Sequence, residues 1–359
     1  MIVALFGYHN SGKTSLFEIL AGKKATGHHT SFSGQKIEIP RTTALVPDPR
    51  LDTLHSLYPD KKKVQVHFEI EDFPGLAAGD ISTSQYLAEL RKTDALVHVV
   101  REFRDPAVSH PRGRIDPVDD IRAMSEELIL SDLILVNSRL EKLEKDLRKM
   151  KDTEAVREKE LLEKLKPLLE RGQAVKDFPL SPTEERMLRG FCFLSLKPVV
   201  HAVNLDEKNL ACLTAPDKLL SGLSPEVPLI AFCGRIEKEL LELEQEERVI
   251  FMESYGLSET TPLRFFRKLY DVCQLINFYT IGKDEVRAWA VRKNTPAVKA
   301  AGEIHTDMEK GFIRAEVMTF EDLLKHGSWQ KAREAGAMRL EGRDYPVQDG
   351  DIIYFRFTQ

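Results

Sequence analysis

No stretch of this sequence stays apolar long enough to cross a membrane, and no basic leader precedes its first apolar run, Ile2 to Phe6. Cysteine is sparse. Cys192, Cys212, Cys233 and Cys273 lie far apart, so no C-x-x-C pair is available to clamp zinc or work as a dithiol, and reduced thiols in a reducing compartment are expected. Neither sign of charge dominates: 52 Lys+Arg stand against 57 Asp+Glu, a formal charge of -5. No global field draws the chain to nucleic acid or anionic lipid, and any RNA contact must be local. Internal repeats and low-complexity tracts are also missing. These absences predict a soluble, cytoplasmic protein with neither DNA nor membrane as a partner.

What is present is an order of elements. At 359 residues the chain suits two or three domains. Short runs rich in branched residues recur at Ile2–Phe6, Val64–Ile70, Leu96–Val100, Pro198–Val203 and Pro228–Cys233, several followed by helical patterns. That alternation predicts an α/β, doubly wound, mostly parallel sheet. Leu133, Val136, Leu140, Leu143, Leu147 and Met150 alternate in steps of three and four, the seam of a coiled coil. After a polar break at Asp152 and Thr153 a second stripe, Leu161, Leu165 and Leu168, predicts an antiparallel helical hairpin ending near Gly172. From Phe278 to Phe357 the pattern changes to short strands, with a turn at Asp349-Gly350-Asp351. The predicted division is 1–120 and 191–276 for the sheet domain, 121–190 for the helical insertion and 277–359 for a β-rich terminal domain.

The segment from Gly7 to Thr14, GYHNSGKT, matches G-x-x-x-x-G-K-[ST] between a strand and a helix pattern. Glycines let the backbone curl so that its N–H groups point at phosphate oxygens. Lys13 then neutralises the terminal phosphates and Thr14 offers a hydroxyl to Mg2+. Asn10, Ser11, Gly12, Lys13, Thr14 and Ser15 form the predicted phosphate-binding set. Asp72-Phe73-Pro74-Gly75 follows the next strand and supplies a second element, with Asp72 toward the metal and the Gly75 amide toward the γ phosphate. Leu76 stands where many GTPases place a water-orienting glutamine, so slow hydrolysis is expected. Asn204-Leu205-Asp206-Glu207 occupies the place of a base-reading N-K-x-D loop. There Asn204 and Glu207 are expected to read the base and Leu205 to lie on its face, with strict guanine choice relaxed.

These motifs, together with VPDPRL at Val46–Leu51, TDALVHVVR at Thr93–Arg101, KDEVRAWAVRK from Lys283 and AAGEIHTDMEKGFIRAEV from Ala300, resemble the YchF or Obg-like ATPase family over nearly the whole chain. The resemblance implies a P-loop NTPase with an inserted coiled-coil hairpin and a C-terminal TGS (β-grasp) domain. It also implies ATP and/or GTP as ligand and a ribosome or RNA as partner. His110 matches a family histidine and is a candidate for catalytic assistance. Asn10 matches an asparagine that supports potassium in related NTPases, so K+ joins Mg2+ as an expected cofactor. The first switch departs from the family pattern and reads TSFSGQKIEIPRTTA, leaving Thr30, Ser31 and Ser33 as alternative metal contacts.

Three further readings compete. His305, Asp307 and Glu309 alternate as ligands on a strand would, although the resemblance explains them without a metal. Lys310, Phe312 and Arg314 combine charge with an aromatic ring suited to RNA. At the level of function, a binding module with little turnover and a small-molecule kinase are the rivals to an NTPase regulator.

Overall fold

The computed structural model describes residues 1–23, 32–33, 36–77, 84–149 and 152–358, which divide into two compact units. The first comprises 1–43 and 69–261, the second 44–68 and 262–359.

The first unit is organised by a six-stranded sheet. Its strands are β1 (Ile2–Phe6), β2 (Arg41–Leu45), β3 (His67–Asp72), β4 (Ala95–Arg101), β5 (Val199–Asn204) and β6 (Leu229–Phe232). They lie in the order β2-β3-β1-β4-β5-β6, with every pairing from β3 to β6 parallel. Every residue of β4 is buried, which is why it reads as a continuous apolar run rather than an alternation. Helix α1 (Lys13–Ala21) follows β1 directly and stops at Gly22, whose φ of 66° gives the left-handed turn that ends a helix.

The coiled-coil seam forms as the spacing predicts. Helix α2 (Pro117–Leu147) starts with Pro117 at its first position and Asp116 capping the Asp119 amide; helix α3 (Thr153–Glu170) starts under the Asp152 carboxylate. Val136, Leu140 and Leu143 of α2 pack with Leu161, Leu162, Leu165 and Leu169 of α3. Each buried leucine contributes about 2 kcal/mol. Arg139 grips Glu158 at 2.6 and 2.8 Å across the two helices. The seam residue Met150 lies outside the described residues, as do Thr30, Ser31 and positions 78–83 after the second switch. A fully buried carboxylate, Asp132 on α2, takes hydrogen bonds from the Leu194 and Ser195 amides and from Arg91.

In the second unit the strands run in the order Arg339–Glu341, Phe312–Thr319, Asp351–Phe357, Leu275–Ile281, Glu285–Arg292, Lys62–Val64. Two readings change here. Residues 44–68, assigned from sequence to the sheet domain, belong to this unit instead: Lys62–Val64 forms its edge strand, and the helix Pro49–Leu57 buries Leu51 and Leu54 against Tyr279, Val286 and Ile352. The run Val64–Ile70 is therefore not one strand but the end of one and the start of another. His305, Asp307 and Glu309 are not on a strand either. His305 caps the short helix Thr306–Lys310, Glu309 pairs with Lys299, and no cluster of three metal-ligating side chains exists among the described residues. Phe312 is turned into the core, which removes the ring from the expected RNA patch. No described helix is long and apolar enough to cross a membrane.

Candidate nucleotide site

The loop between β1 and α1 is held by close approaches that only glycine permits. Gly7 has a φ of 143°, and a Cβ there would lie 2.5 Å from the Val99 carbonyl oxygen of β4. Gly12 has a φ of 99°, and its Cβ would fall 2.1 Å from the Asn204 amide nitrogen. Over the loop opens a cavity of about 280 Å3 lined by His9, Lys13, Thr14, Ser15, Phe73 and Gly75, with Asn10 and Gly12 at its edge. The Lys13 ammonium donates to the Tyr8 carbonyl at 2.8 Å. Burial lowers its pKa to about 8, against the opposing pull of Asp72.

Thr14 and Asp72 converge beside it. The Thr14 hydroxyl donates to Asp72 Oδ2 at 2.8 Å, while Oδ1, equally buried, has no hydrogen-bond partner among the described residues. Burial raises the Asp72 pKa, and Thr14 and Lys13 hold it back. A hydroxyl next to a carboxylate with one oxygen in reserve suits a hard, oxygen-seeking cation. Residues 75 and 76 are stitched to the phosphate loop: the Leu76 amide donates to the Gly7 carbonyl at 3.0 Å and the His9 amide to the Leu76 carbonyl at 2.9 Å. The Leu76 side chain points away from the cavity into a core with Tyr8, Phe73 and Tyr86 and takes no direct part in chemistry.

Asn204 ends β5 and is spent as a strut. Its Nδ2 donates to the Ser11 carbonyl at 3.2 Å, and its Oδ1 accepts from the Gly234 amide at 2.9 Å, which opens the helix Gly234–Glu242. Leu205 does not lie open to a base: it is 2% exposed and packs with Val100, Ile121, Val203 and Leu213. An apolar residue beside that core gains more from burial than from an open face. Glu207 is exposed and pairs with Arg235 at 2.9 Å.

His110 is not in the cavity. Its side chain is 4% exposed, Nε2 lies 3.1 Å from Asp120, and Nδ1 accepts from the Arg112 amide at 3.3 Å. With both ring nitrogens engaged and the ring set edge-on to Tyr8, it braces the loop from behind. Burial lowers its pKa although Asp120 pulls the other way. Asn10, at φ 62°, donates from Nδ2 to the Ser109 carbonyl at 3.2 Å and so ties the phosphate loop to the same segment. Sequence reasoning missed three contributors: His9, hidden among the unspecified positions of the motif; Gly234, whose signal was only a glycine after an apolar run; and Arg101. The last is buried and donates to the carbonyls of Phe103, Asp105 and Val108, shaping the loop that carries Ser109 and His110.

A parallel sheet whose first strand runs through this loop into a helix, with Thr14 and Asp72 meeting below, defines a P-loop NTPase of the GTPase type. A family model described as 50S ribosome-binding GTPase matches residues 2–152, and a YchF GTPase C-terminal model, described as a protein of unknown function, matches 275–358. The ribosome-binding ATPase YchF of Bacillus subtilis is 36% identical, covering 100% of this chain and 99% of that protein. Obg-like ATPase 1 of Oryza sativa subsp. japonica is 34% identical over 99% of this chain and 92% of its own length. The solved YchF GTPase of Schizosaccharomyces pombe superposes with a TM-score of 0.82 at 28% identity, covering 99% of this chain and 97% of that one. The chain belongs to the YchF/Obg-like ATPase family.

Proposed function

We propose that the chain binds a nucleoside triphosphate with Mg2+, hydrolyses it slowly, and acts on a ribosome or RNA partner in a nucleotide-dependent way. The observation that carries the reading is the meeting of Thr14 and Asp72 at 2.8 Å beside Lys13, with Asp72 Oδ1 in reserve. Thr14 and Asp72 would hold the cation, whose chemistry is to neutralise charge developing on the phosphates. Lys13 and the loop amides bind and orient the same oxygens. The Gly75 amide senses the terminal phosphate from the far wall.

Slow turnover is supported by the burial of Leu76, which leaves no side chain at that position to orient water. The relaxed base choice is supported by Leu205 and Glu207, neither of which is arranged as in a strict guanine reader. Potassium stimulation rests on Asn10, and equal rates in sodium and potassium would remove it from the proposal. The ribosomal partner is taken from what the Bacillus subtilis relative is called. Phosphate release by wild type and Lys13→Ala, with ATP and GTP in competition, tests the core of the reading. Matching background rates would leave a binding module without turnover. Co-sedimentation with ribosomes in the presence of each nucleotide tests the partner.

A further inference from the structure

We infer that His9 positions the attacking water in this site. The inference rests on the reading that the site hydrolyses a nucleoside triphosphate. Leu76 cannot take this role, because its side chain is buried at 4% exposure. His110 cannot take it in this arrangement either, with both nitrogens engaged behind the loop. His9 instead lines the phosphate cavity itself, together with Lys13, Thr14 and Gly75.

Two observations fix the imidazole near the reacting end of the site. The His9 amide is bonded to the Leu76 carbonyl at 2.9 Å, so its backbone moves with the switch glycine rather than independently of it. A Cβ on Gly75 would lie 2.6 Å from His9 Nδ1 and 2.8 Å from His9 Cα. The ring therefore rests directly against the glycine whose amide faces the terminal phosphate, and the absence of a side chain at 75 is what makes room for it. A polar ring held there can orient a water at the γ phosphorus, which is the kind of pre-positioning that accelerates a displacement without covalent catalysis. In the step itself the water oxygen forms a bond to the γ phosphorus. The bond from that phosphorus to the β–γ bridging oxygen breaks, and its electron pair leaves with the nucleoside diphosphate. The water proton passes to the neutral imidazole and from there to the phosphate product, which restores the ring.

The test uses the full chain and measures the nucleotide Kd and single-turnover hydrolysis separately for wild type, Lys13→Ala, His9→Ala and His9→Gln. Because His9 is exposed, neither His9 variant should disturb folding. His9→Ala is expected to lower the rate constant at least about tenfold while Kd stays within about twofold. His9→Gln, which orients water but takes no proton, should recover part of the loss, and so should free imidazole added to His9→Ala. An unchanged rate in His9→Ala overturns the inference while leaving nucleotide hydrolysis intact, and a fall in affinity equal to the fall in rate overturns it in favour of a structural role. Equal rates for wild type and Lys13→Ala would overturn the parent reading, and this inference with it.

Discussion

Arg50 closes a two-pronged hydrogen bond on Asp349, Nη1 to Oδ2 at 2.8 Å and Nη2 to Oδ1 at 3.0 Å. Beside it the buried Asp48 carboxylate accepts from the Arg50 and Leu51 amides, from Asn277 Nδ2 at 2.9 Å and from the Tyr279 hydroxyl at 2.7 Å. The VPDPRL motif is thus a fastening inside the second unit. Asp48→Ala strands two buried side-chain donors and a helix cap, and should cost about 3 kcal/mol or more. Arg50→Ala breaks a half-exposed pair and should cost about 1 kcal/mol. Urea titration followed by the fluorescence of Trp289 and Trp329 measures both, and equal losses would contradict this account.

Lys13 makes nucleotide affinity depend on pH. Its pKa in the ligand-free protein is about 8, and phosphate binding requires the charged form. Below pH 8 the ammonium is already charged. Above it each bound triphosphate must recruit a proton, so Kd should rise by up to about tenfold per pH unit. Calorimetry at pH 9 in two buffers of different ionisation enthalpy should show that uptake in wild type and not in Lys13→Met.

Leu205→Lys restores the lysine of a guanine-reading loop on paper. In this fold it drives an ammonium into the cluster around Val100 and Val203. The expected outcome is a loss of about 3 kcal/mol or more with no gain in GTP over ATP selectivity. A stable variant that favours GTP would show that the side chain has an alternative place at the surface.

His98 and His201 face each other across β4 and β5, Nδ1 to Nδ1 at 3.2 Å. Burial lowers the pKa of both, that of His201 to about 4, with the neighbouring imidazole adding to the effect on His98. The sign follows from the unfolded chain, where histidine protonates near pH 6.5. As pH falls from 6.5 toward 4 the unfolded state gains protons that the folded state refuses, and stability is lost. His201 alone should cost about 2 kcal/mol between pH 6.5 and 5. Urea midpoints across that range should fall less steeply in His201→Gln than in wild type.

Much of the phosphate site could be read in advance because its parts are local. Gly7, Gly12, Lys13 and Thr14 sit within one turn of chain, and the strand and helix around them have their own periodicity. The hairpin was legible for the same reason, through the steps from Leu133 to Leu143. What could not be read depends on partners remote in the chain. Nothing near Asp48 announces Asn277 or Tyr279, and the branched residues from Val64 to Ile70 carry no mark of where one strand stops and the next begins. Leu205 and His110 were misplaced because a loop position states residue type but not direction. The direction is set by the core beneath Leu205 and by Asp120 behind His110.

The chain passes between the two units three times, after Thr43, after Phe68 and after Thr261. The second unit therefore owns a loop of sequence that begins and ends inside the nucleotide-binding half, and the return strand is the one that finishes at Asp72. Such an interleaved pair does not behave as two cassettes that can be cut apart and shuffled. A truncation before Pro262 leaves residues 44–68 with no sheet to join, and the carboxylate proposed to hold the metal stands only a few residues beyond that loose end.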